Sequence, residues 1–242
     1  RLGGEALTHA SDLDIIYLFT GDHGAESDGE RPMSATRYYN RLAQRVGAAL
    51  SVPTAEGPLY EVDTRLRPQG AQGPLAVSVE SFARYQRESA WTWEHMALAR
   101  ARVVAGSFAA RADVDDIIRE VLLAPRDPAT LREDALKMRG EMARHKPAKG
   151  VLDVKLRRGG LVDIEFVLHF LQLRDHIALD PRLSKACATL VYAGTLPQAF
   201  SEAHDFLTRL IVAAALCLCA LLFATSSAQA QGDAPRLIVV GD

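Results

Sequence analysis

The chain has 242 residues, 48% of them hydrophobic, and a formal net charge of −2 at pH 7. This length can hold one large or two small domains with a real core, and the near-neutral charge gives no reason to expect nucleic acid or an anionic membrane as partner. Three cysteines without framework spacing argue against a disulfide scaffold, and no cysteine–histidine cluster has zinc spacing.

Two aspartates stand at the mouth of the first predicted strand. Asp12 and Asp14 lead into residues 15–19, a β-branched and aromatic run that predicts a buried strand. Residues two apart share a face of a strand, and two carboxylates side by side favour a cation such as Mg²⁺. Upstream, Gly3 and Gly4 offer backbone N–H groups that can cradle phosphate. Taken alone, a D-x-D is more often a solvated strand end and a glycine pair a turn.

A helix is predicted next, after a polar, glycine-rich loop over residues 21–32. Ser34 can cap a helix over residues 35–50, and residues 53–58 then predict a turn. The helix carries an apolar stripe formed by Tyr39, Leu42, Val46 and Leu50.

Residues 60–67 alternate strictly and predict a second strand. One face carries Asp63, Arg65 and Arg67 together with Glu61, and the opposite face is mainly apolar. A half-buried edge strand shows the same alternation. An acid with two arginines beside a paired-aspartate strand is also what a nucleoside triphosphate and its metal require. A tight glycine loop over residues 69–73 and a short strand over residues 74–77 follow.

From Ser78 onward the pattern is helical. Ser78 begins one helix, and a second is predicted over residues 90–104. Its tryptophans, Trp91 and Trp93, are most simply core or interface aromatics. Its polar residues fit a solvated face, namely Glu94, His95, Arg100 and Arg102.

The second half predicts further helices after a linker at Asp127-Pro128. Residues 107–123 form one amphipathic helix, and the capping box Thr130-Leu-Arg-Glu133 opens another that runs to about residue 145. Residues 161–176 form a buried helix, and residues 184–193 one more. Asp163 and Glu165 lie near the start of the buried helix, where acids suit the helix dipole.

An uncharged apolar run begins at Leu210 and ends in Ala228-Gln-Ala230. This layout is that of a secretory signal peptide, although here it lies inside the chain and is short for a transmembrane helix. One reading is a buried helix; the preferred reading is a tail over residues 210–242 that is foreign to the rest of the chain.

These motifs together resemble a known family. The pair Gly3-Gly4, the sequence Ser11-Asp-Leu-Asp14 and the later Asp63 resemble the signature of polymerase-β-like nucleotidyltransferases. The sequences of residues 59–68, 73–77 and 90–98 resemble those of the glutamine synthetase adenylyltransferases, which are large two-headed enzymes. This resemblance extends over residues 1–200. The motif Trp93-Glu-His95 is more similar to the C-terminal, adenylylating head than to the N-terminal, adenylyl-removing head.

The resemblance implies an α+β fold with a small mixed β-sheet in a nucleotidyltransferase domain, followed by an all-α helical domain. The expected bounds are residues 1–126 for the catalytic domain and 127–209 for the helical domain. The family places a strand before the glycine pair, so a fragment truncated at its N-terminus is expected. Residues 153–166 are similar to the helical domain that follows the catalytic head in this family.

The resemblance also implies transfer of AMP from ATP to a tyrosine hydroxyl of glutamine synthetase, with two Mg²⁺ ions. Asp12 and Asp14 would hold both ions, and Asp63 would bind the catalytic ion and orient or deprotonate the tyrosine. The triphosphate would lie against the backbone of Gly3 and Gly4 with Ser11 nearby, and its charge would be neutralised by Arg65 and Arg67.

Two alternatives remain open at this point. Phosphorolytic removal of AMP uses the same aspartates, and the chain could also be an inactive fragment. The resemblance implies a P-II signalling protein as regulator and a cytoplasmic location, which the lack of an N-terminal signal peptide pattern also fits. No nucleic acid partner is expected, and a membrane only if the apolar tail were to insert.

Overall fold

The computed structural model describes residues 2–5, 7, 11–22, 24–55, 57–58 and 60–230. The strands are β1 (Leu13–Asp14), β2 (Tyr17–Phe19), β3 (Pro53–Thr54), β4 (Gly57–Pro58), β5 (Val62–Asp63) and β6 (Ala76–Ser78). The helices are α1 (Ala35–Ser51), α2 (Val79–Glu88), α3 (Thr92–Leu98), α4 (Phe108–Leu123), α5 (Pro128–His145), α6 (Leu161–Asp175), α7 (Leu183–Tyr192) and α8 (Gln198–Ala230).

The α+β class is confirmed, and the β part consists of strand pairs. β1 pairs with β5 and β2 with β6, both in parallel, while β3 and β4 form a separate antiparallel hairpin where a plain turn was predicted. The predicted strand over 15–19 forms as Tyr17–Phe19, since Ile15 and Ile16 lie between β1 and β2 outside either strand. The expected single mixed sheet is thus replaced by short pairs.

Helix α1 forms where predicted and covers the β2–β6 pair. The Phe19 and Tyr39 rings stack with centroids 4.7 Å apart. Asn40 fixes the helix to the strand edge, because its Oδ1 accepts from Leu75 N at 2.6 Å and its Nδ2 donates to Ala76 O at 3.2 Å. The predicted apolar stripe is wrong in its middle: Leu42 and Val46 are exposed, since so small a sheet covers only part of a five-turn helix.

The main core lies between the strands and α2–α6. Its buried members come from both sides of residue 127, so the two predicted domains share one apolar cluster: Val77, Phe82, Met96, Leu98, Ala99, Val121, Leu122, Leu131, Ala135 and Leu173. A second cluster joins α6, α7 and the start of α8 around Leu168, Cys187 and Leu190. The boundary near residue 127 stays a prediction about folding units.

Helix α5 begins earlier than predicted. Asp127 caps it by accepting from Thr130 N at 2.8 Å, and Pro128 takes the first helical position, which its missing N–H and fixed φ favour. The predicted capping box is therefore wrong, because Thr130 is already inside the helix. α2 and α4 begin directly after Ser78 and Ser107, where helices were predicted to start, and each serine caps its helix by accepting from the backbone N–H three residues on.

The apolar tail is part of a helix over the residues that the structure describes. α8 runs through Leu210 without a break to Ala230. Its early residues pack on α6 and α7, with His204 buried, whereas Val212 and Leu216 are exposed. Residues 231–242 of the predicted tail lie outside the described residues, and its foreign origin stays a prediction. Within the described part of the chain, no helix combines the length and apolarity that crossing a bilayer requires.

Candidate active site

The paired aspartates lie on the strand pair that the sequence pattern predicts. β1 and β5 run parallel in a register that sets Asp14 beside Asp63, and Leu13 N donates to Glu61 O and Ile15 N to Asp63 O, both at 2.8 Å. Leu13 is buried while Asp12 and Asp14 on either side of it are exposed. The alternation thus turns both carboxylates away from the core, and the register brings Asp63 alongside.

A guanidinium binds the third carboxylate of this face. Arg65 Nε donates to Asp63 Oδ1 at 3.0 Å and Oδ2 at 2.9 Å, a second guanidinium nitrogen binds Oδ2, and the Arg65 backbone N–H donates to Oδ1 at 2.9 Å. These hydrogen bonds lower the pKa of Asp63 below its usual value. The Arg65 pKa is raised, first by Asp63 and then also by the charges of Asp14 and Asp12.

Asp63 binds the Arg65 guanidinium directly, and the charges of Asp14 and Asp12 also act on it. Oxygen donors of this kind are those that Mg²⁺ prefers, so the three residues fit a hard cation in their chemistry. Among the residues that the structure describes, no group of three or more histidine, cysteine or acidic side chains is drawn together closely enough to hold a metal. Arg65, whose side chain is 77% exposed, takes the cationic position at Asp63.

The glycine pair lies against a different part of the chain. A Cβ on Gly3 would stand 2.0 Å from Arg100 O, so only glycine fits there. Arg102 Nε donates to Gly3 O at 3.2 Å. Ser11, at the start of the strand segment, is buried. The packing explains why Gly3 is a glycine, and the predicted phosphate contacts of Gly3, Gly4 and Ser11 stay predictions.

Comparison with known proteins gives a match over the part of the chain that carries these residues. The family model described as glutamate-ammonia ligase adenylyltransferase matches residues 1–117, the part that carries the aspartate face and the glycine pair. Over these residues, just under half of the chain, the sequence is similar to that family. This confirms the resemblance on which the sequence analysis relied.

Curated relatives extend the similarity along the chain. Bifunctional glutamine synthetase adenylyltransferase/adenylyl-removing enzymes from Brucella melitensis and Mesorhizobium japonicum are 46% and 43% identical to it over 230 and 204 residues. These matches cover 90% and 84% of this chain but 23% and 20% of the relatives. One from Rhizobium meliloti is 49% identical over 174 residues, 72% of this chain and 18% of the relative. The chain thus spans less than a quarter of the length of these relatives.

Arg67 lies elsewhere than the strand alternation predicts. β5 ends at Asp63, and the chain turns so that Arg67 is buried. Its guanidinium donates to Thr64 O at 2.6 Å, to Thr64 Oγ1 at 2.9 Å and to Gly73 O at 3.3 Å. The predicted shared face with Asp63 and Arg65 is therefore wrong, because the strand is too short to carry the alternation. A contact between Arg67 and phosphate, which stays a prediction, would require these bonds to break.

The family-like sequence around Trp91 and Glu94 has a structural explanation. Glu94 is buried and accepts from Tyr85 Oη at 2.9 Å and from Trp91 N at 2.8 Å. Burial and then the Glu94 hydrogen bond raise the pKa of Tyr85 to about 12. The predicted solvated face is wrong for Glu94. Of the two placements predicted for Trp91 and Trp93, the core is wrong, since both are exposed, and the interface stays a prediction.

The helix that carries these residues is shorter than predicted. α3 ends at Leu98, and residues 101–104 continue without regular structure. The helix ends early because the backbone at Arg100 packs closely against Gly3. Local sequence signals do not encode this contact.

A cleft of about 350 Å³ opens at the carboxyl ends of β2 and β6. None of the three aspartates lines it, so it lies apart from the carboxylate face. Its wall combines strand ends, the loop after β5 and one side of α2, including Phe19, Gln69, Ser78, Arg84, Tyr85 and Glu88.

Proposed function

We propose that this chain carries a nucleotidyltransferase site that transfers AMP from ATP to a tyrosine hydroxyl of glutamine synthetase. The observation that carries the proposal is the register of β1 and β5, which sets Asp14 beside Asp63, together with the Arg65 guanidinium that is hydrogen-bonded to Asp63. The family match over residues 1–117 supports the reaction class, and the names of the relatives support the substrate.

Asp12, Asp14 and Asp63 would hold two Mg²⁺ ions. When bound, such ions supply charge neutralisation for the attacking and leaving oxygens of the transfer. The Asp63 carboxylate, whose pKa is lowered chiefly by the Arg65 hydrogen bond, is ionised at neutral pH and would accept from the tyrosine O–H once Arg65 releases it. A tyrosine hydroxyl has a pKa of about 10 and needs such help to become a nucleophile.

In this proposal the Arg65 side chain takes one position without nucleotide and another when nucleotide and cation are bound. With no nucleotide bound it neutralises Asp63, which removes the like-charge repulsion among the three carboxylates. Its long, exposed side chain is free to turn toward the phosphates when a cation takes over Asp63. Gly3 and Gly4 would bind the triphosphate through backbone N–H groups, with Ser11 nearby and Arg67 supporting the loop behind Arg65.

A second candidate is the reverse chemistry, phosphorolytic removal of AMP from modified glutamine synthetase. The observation that favours it is the relatives' name, which includes an adenylyl-removing enzyme. Regulation by a P-II signalling protein is part of the proposal on family resemblance alone, as is a cytoplasmic location.

Labelled ATP with Mg²⁺ and unmodified glutamine synthetase tests the first candidate, and labelled, modified glutamine synthetase with phosphate tests the second. Gain of label supports transfer, and loss of label supports removal. We expect Asp63→Asn to lower the supported activity at least about 100-fold, as removal of a reacting carboxylate commonly does, with little change in melting temperature. Asp116→Asn, an exposed aspartate of α4, is the control. The proposal would be overturned if the unmodified chain showed no transfer and no removal of AMP, or if Asp63→Asn kept near-normal activity.

A further inference from the structure

The loop Leu2–Glu5, which carries the glycine pair, is held by contacts from a distant part of the sequence. Gly3 lies so close to Arg100 O that a Cβ would stand 2.0 Å from it. Arg102 donates to Gly3 O at 3.2 Å and to Leu2 O at 3.5 Å. The position of this loop is therefore set by the segment that follows α3.

Glu5 ends this loop in a strained conformation. Its φ is +57°, which a non-glycine residue keeps only where the surroundings hold it. Its carboxylate lies 4.0 Å from Arg102 Nε and 3.9 Å from a guanidinium nitrogen of Arg182. Arg182 immediately precedes α7 and is itself fixed by two hydrogen bonds of 2.9 Å to Asp180. The loop is thus bound to the start of α7 as well.

The segment that receives the loop is bound to α6. A guanidinium nitrogen of Arg100 lies 3.7 Å from Glu165 Oε2, and both side chains are largely buried. The backbone of Arg100 touches Gly3 while its side chain reaches α6, so one residue connects the loop to the helices. Contacts from α6 and α7 converge on Leu2–Glu5 by two separate routes.

We infer that α6, through Arg100, and the start of α7, through Arg182, act together with Arg102 of the segment after α3 to position the Leu2–Glu5 loop, and thereby set the affinity of the site for the triphosphate of ATP. The inference rests on the proposed function, in which Gly3 and Gly4 bind the phosphates. Backbone N–H groups bind an anion well only when they are held in place beforehand. Glu5 and the three arginines are then positioning residues.

Glu5→Gln separates positioning from direct electrostatics, because the two predict opposite signs. Glu5 is an anion beside a loop proposed to bind phosphate, so removing its charge would tighten ATP binding if charge alone mattered. If Glu5 positions the loop, the same change weakens binding, by about two- to fivefold for a partly exposed ion-pair network. The measurement is titration of the full chain with a fluorescent ATP analogue in the presence of Mg²⁺.

Glu120→Gln is the matched control. It removes the same charge and breaks an exposed ion pair, with Arg87, far along the chain from the loop. Weaker binding in Glu5→Gln and unchanged binding in Glu120→Gln support the inference. Unchanged or tighter binding in Glu5→Gln overturns it.

A second measurement needs no nucleotide. Hydrogen exchange followed by mass spectrometry should show faster exchange at residues 2–5 in Arg102→Gln than in the unmodified chain, with no change in Arg87→Gln. Equal exchange in all three overturns the inference. If the unmodified chain binds no ATP, the proposed function fails, and faster exchange in Arg102→Gln still supports the positioning of the loop by these side chains.

Discussion

The carboxylate face of β1 and β5 and the helix packing around α3 use acidic side chains in opposite ways. Asp63 is held by a charged partner, Arg65, whose side chain is 77% exposed. Glu94 is 6% exposed and is held by uncharged donors, Tyr85 Oη and Trp91 N. An exposed cation can be exchanged for another cation at little cost, whereas buried donors lose hydrogen bonds that water cannot replace. The first carboxylate is available to a ligand, and the second is fixed.

His169 belongs with Glu94 on the fixed side of this comparison. It is buried in α6, and its Nδ1 lies 2.8 Å from Gln172 Oε1. Gln172 Nε2 donates to Ala178 O at 2.6 Å, so Oε1 must accept from His169 and the ring carries its proton on Nδ1. Burial, with a contribution from the Arg100 charge, lowers the pKa of His169 to about 3. This histidine is neutral wherever the protein is folded near neutral pH.

The largest effect in stability is expected from Glu94→Ala. The change leaves Tyr85 Oη and Trp91 N without an acceptor in a buried site, which costs about 3 kcal/mol of the free energy of unfolding. Urea denaturation followed by circular dichroism measures this loss. Glu120→Ala removes an exposed acid and serves as control. A loss below about 1 kcal/mol would contradict the view that Glu94 is a fixed structural carboxylate.

The next effect is a pH dependence due to His169. In the unfolded chain the ring has a pKa of about 6.5, so below that pH the unfolded state binds a proton that the folded state excludes. The stability contribution is complete above about pH 6.5 and falls by about 2 kcal/mol between pH 7 and pH 5.

Replacing His169 by glutamine should remove this part of the pH dependence, whatever the change costs at pH 7. Denaturation at several pH values compares the slopes of the two proteins. His145→Gln, at the exposed end of α5, should leave the slope unaltered. Equal slopes in the unmodified chain and His169→Gln would show that the ring is accessible to protons in the folded state.

The smallest effect is expected at the carboxylate face. The Asp63 pKa is lowered chiefly by the Arg65 hydrogen bond, so the pair stabilises the fold above the usual aspartate pKa of about 3.9, and this contribution is lost as the pH falls through the lower, folded value. Because the pair is exposed, Arg65→Gln should change stability less than either preceding variant. A loss as large as that of Glu94→Ala would place Asp63 among the fixed carboxylates.

Sequence reasoning succeeded where the signal is local. The alternation of Asp12, Leu13 and Asp14 is confirmed by the burial of Leu13, and helix α1 forms over the predicted residues. It failed at Arg67 and Glu94, whose surroundings come from a turn and from a neighbouring helix.

The sequence by itself determined the composition of elements: short strands around an aspartate pair, followed by amphipathic helices. The tertiary structure alone decided that Asp14 lies beside Asp63 and that Gly3 lies against Arg100. It also decided that Arg65 binds the carboxylate face, whereas Arg67 is hydrogen-bonded to the loop that follows β5. The physical reason is range. Propensities, caps and side-chain periodicity act over a few residues, whereas register, burial and close backbone approach depend on distant chain segments. Gly3 and Arg102 are 99 positions apart, and Asp14 and Asp63 are 49 positions apart.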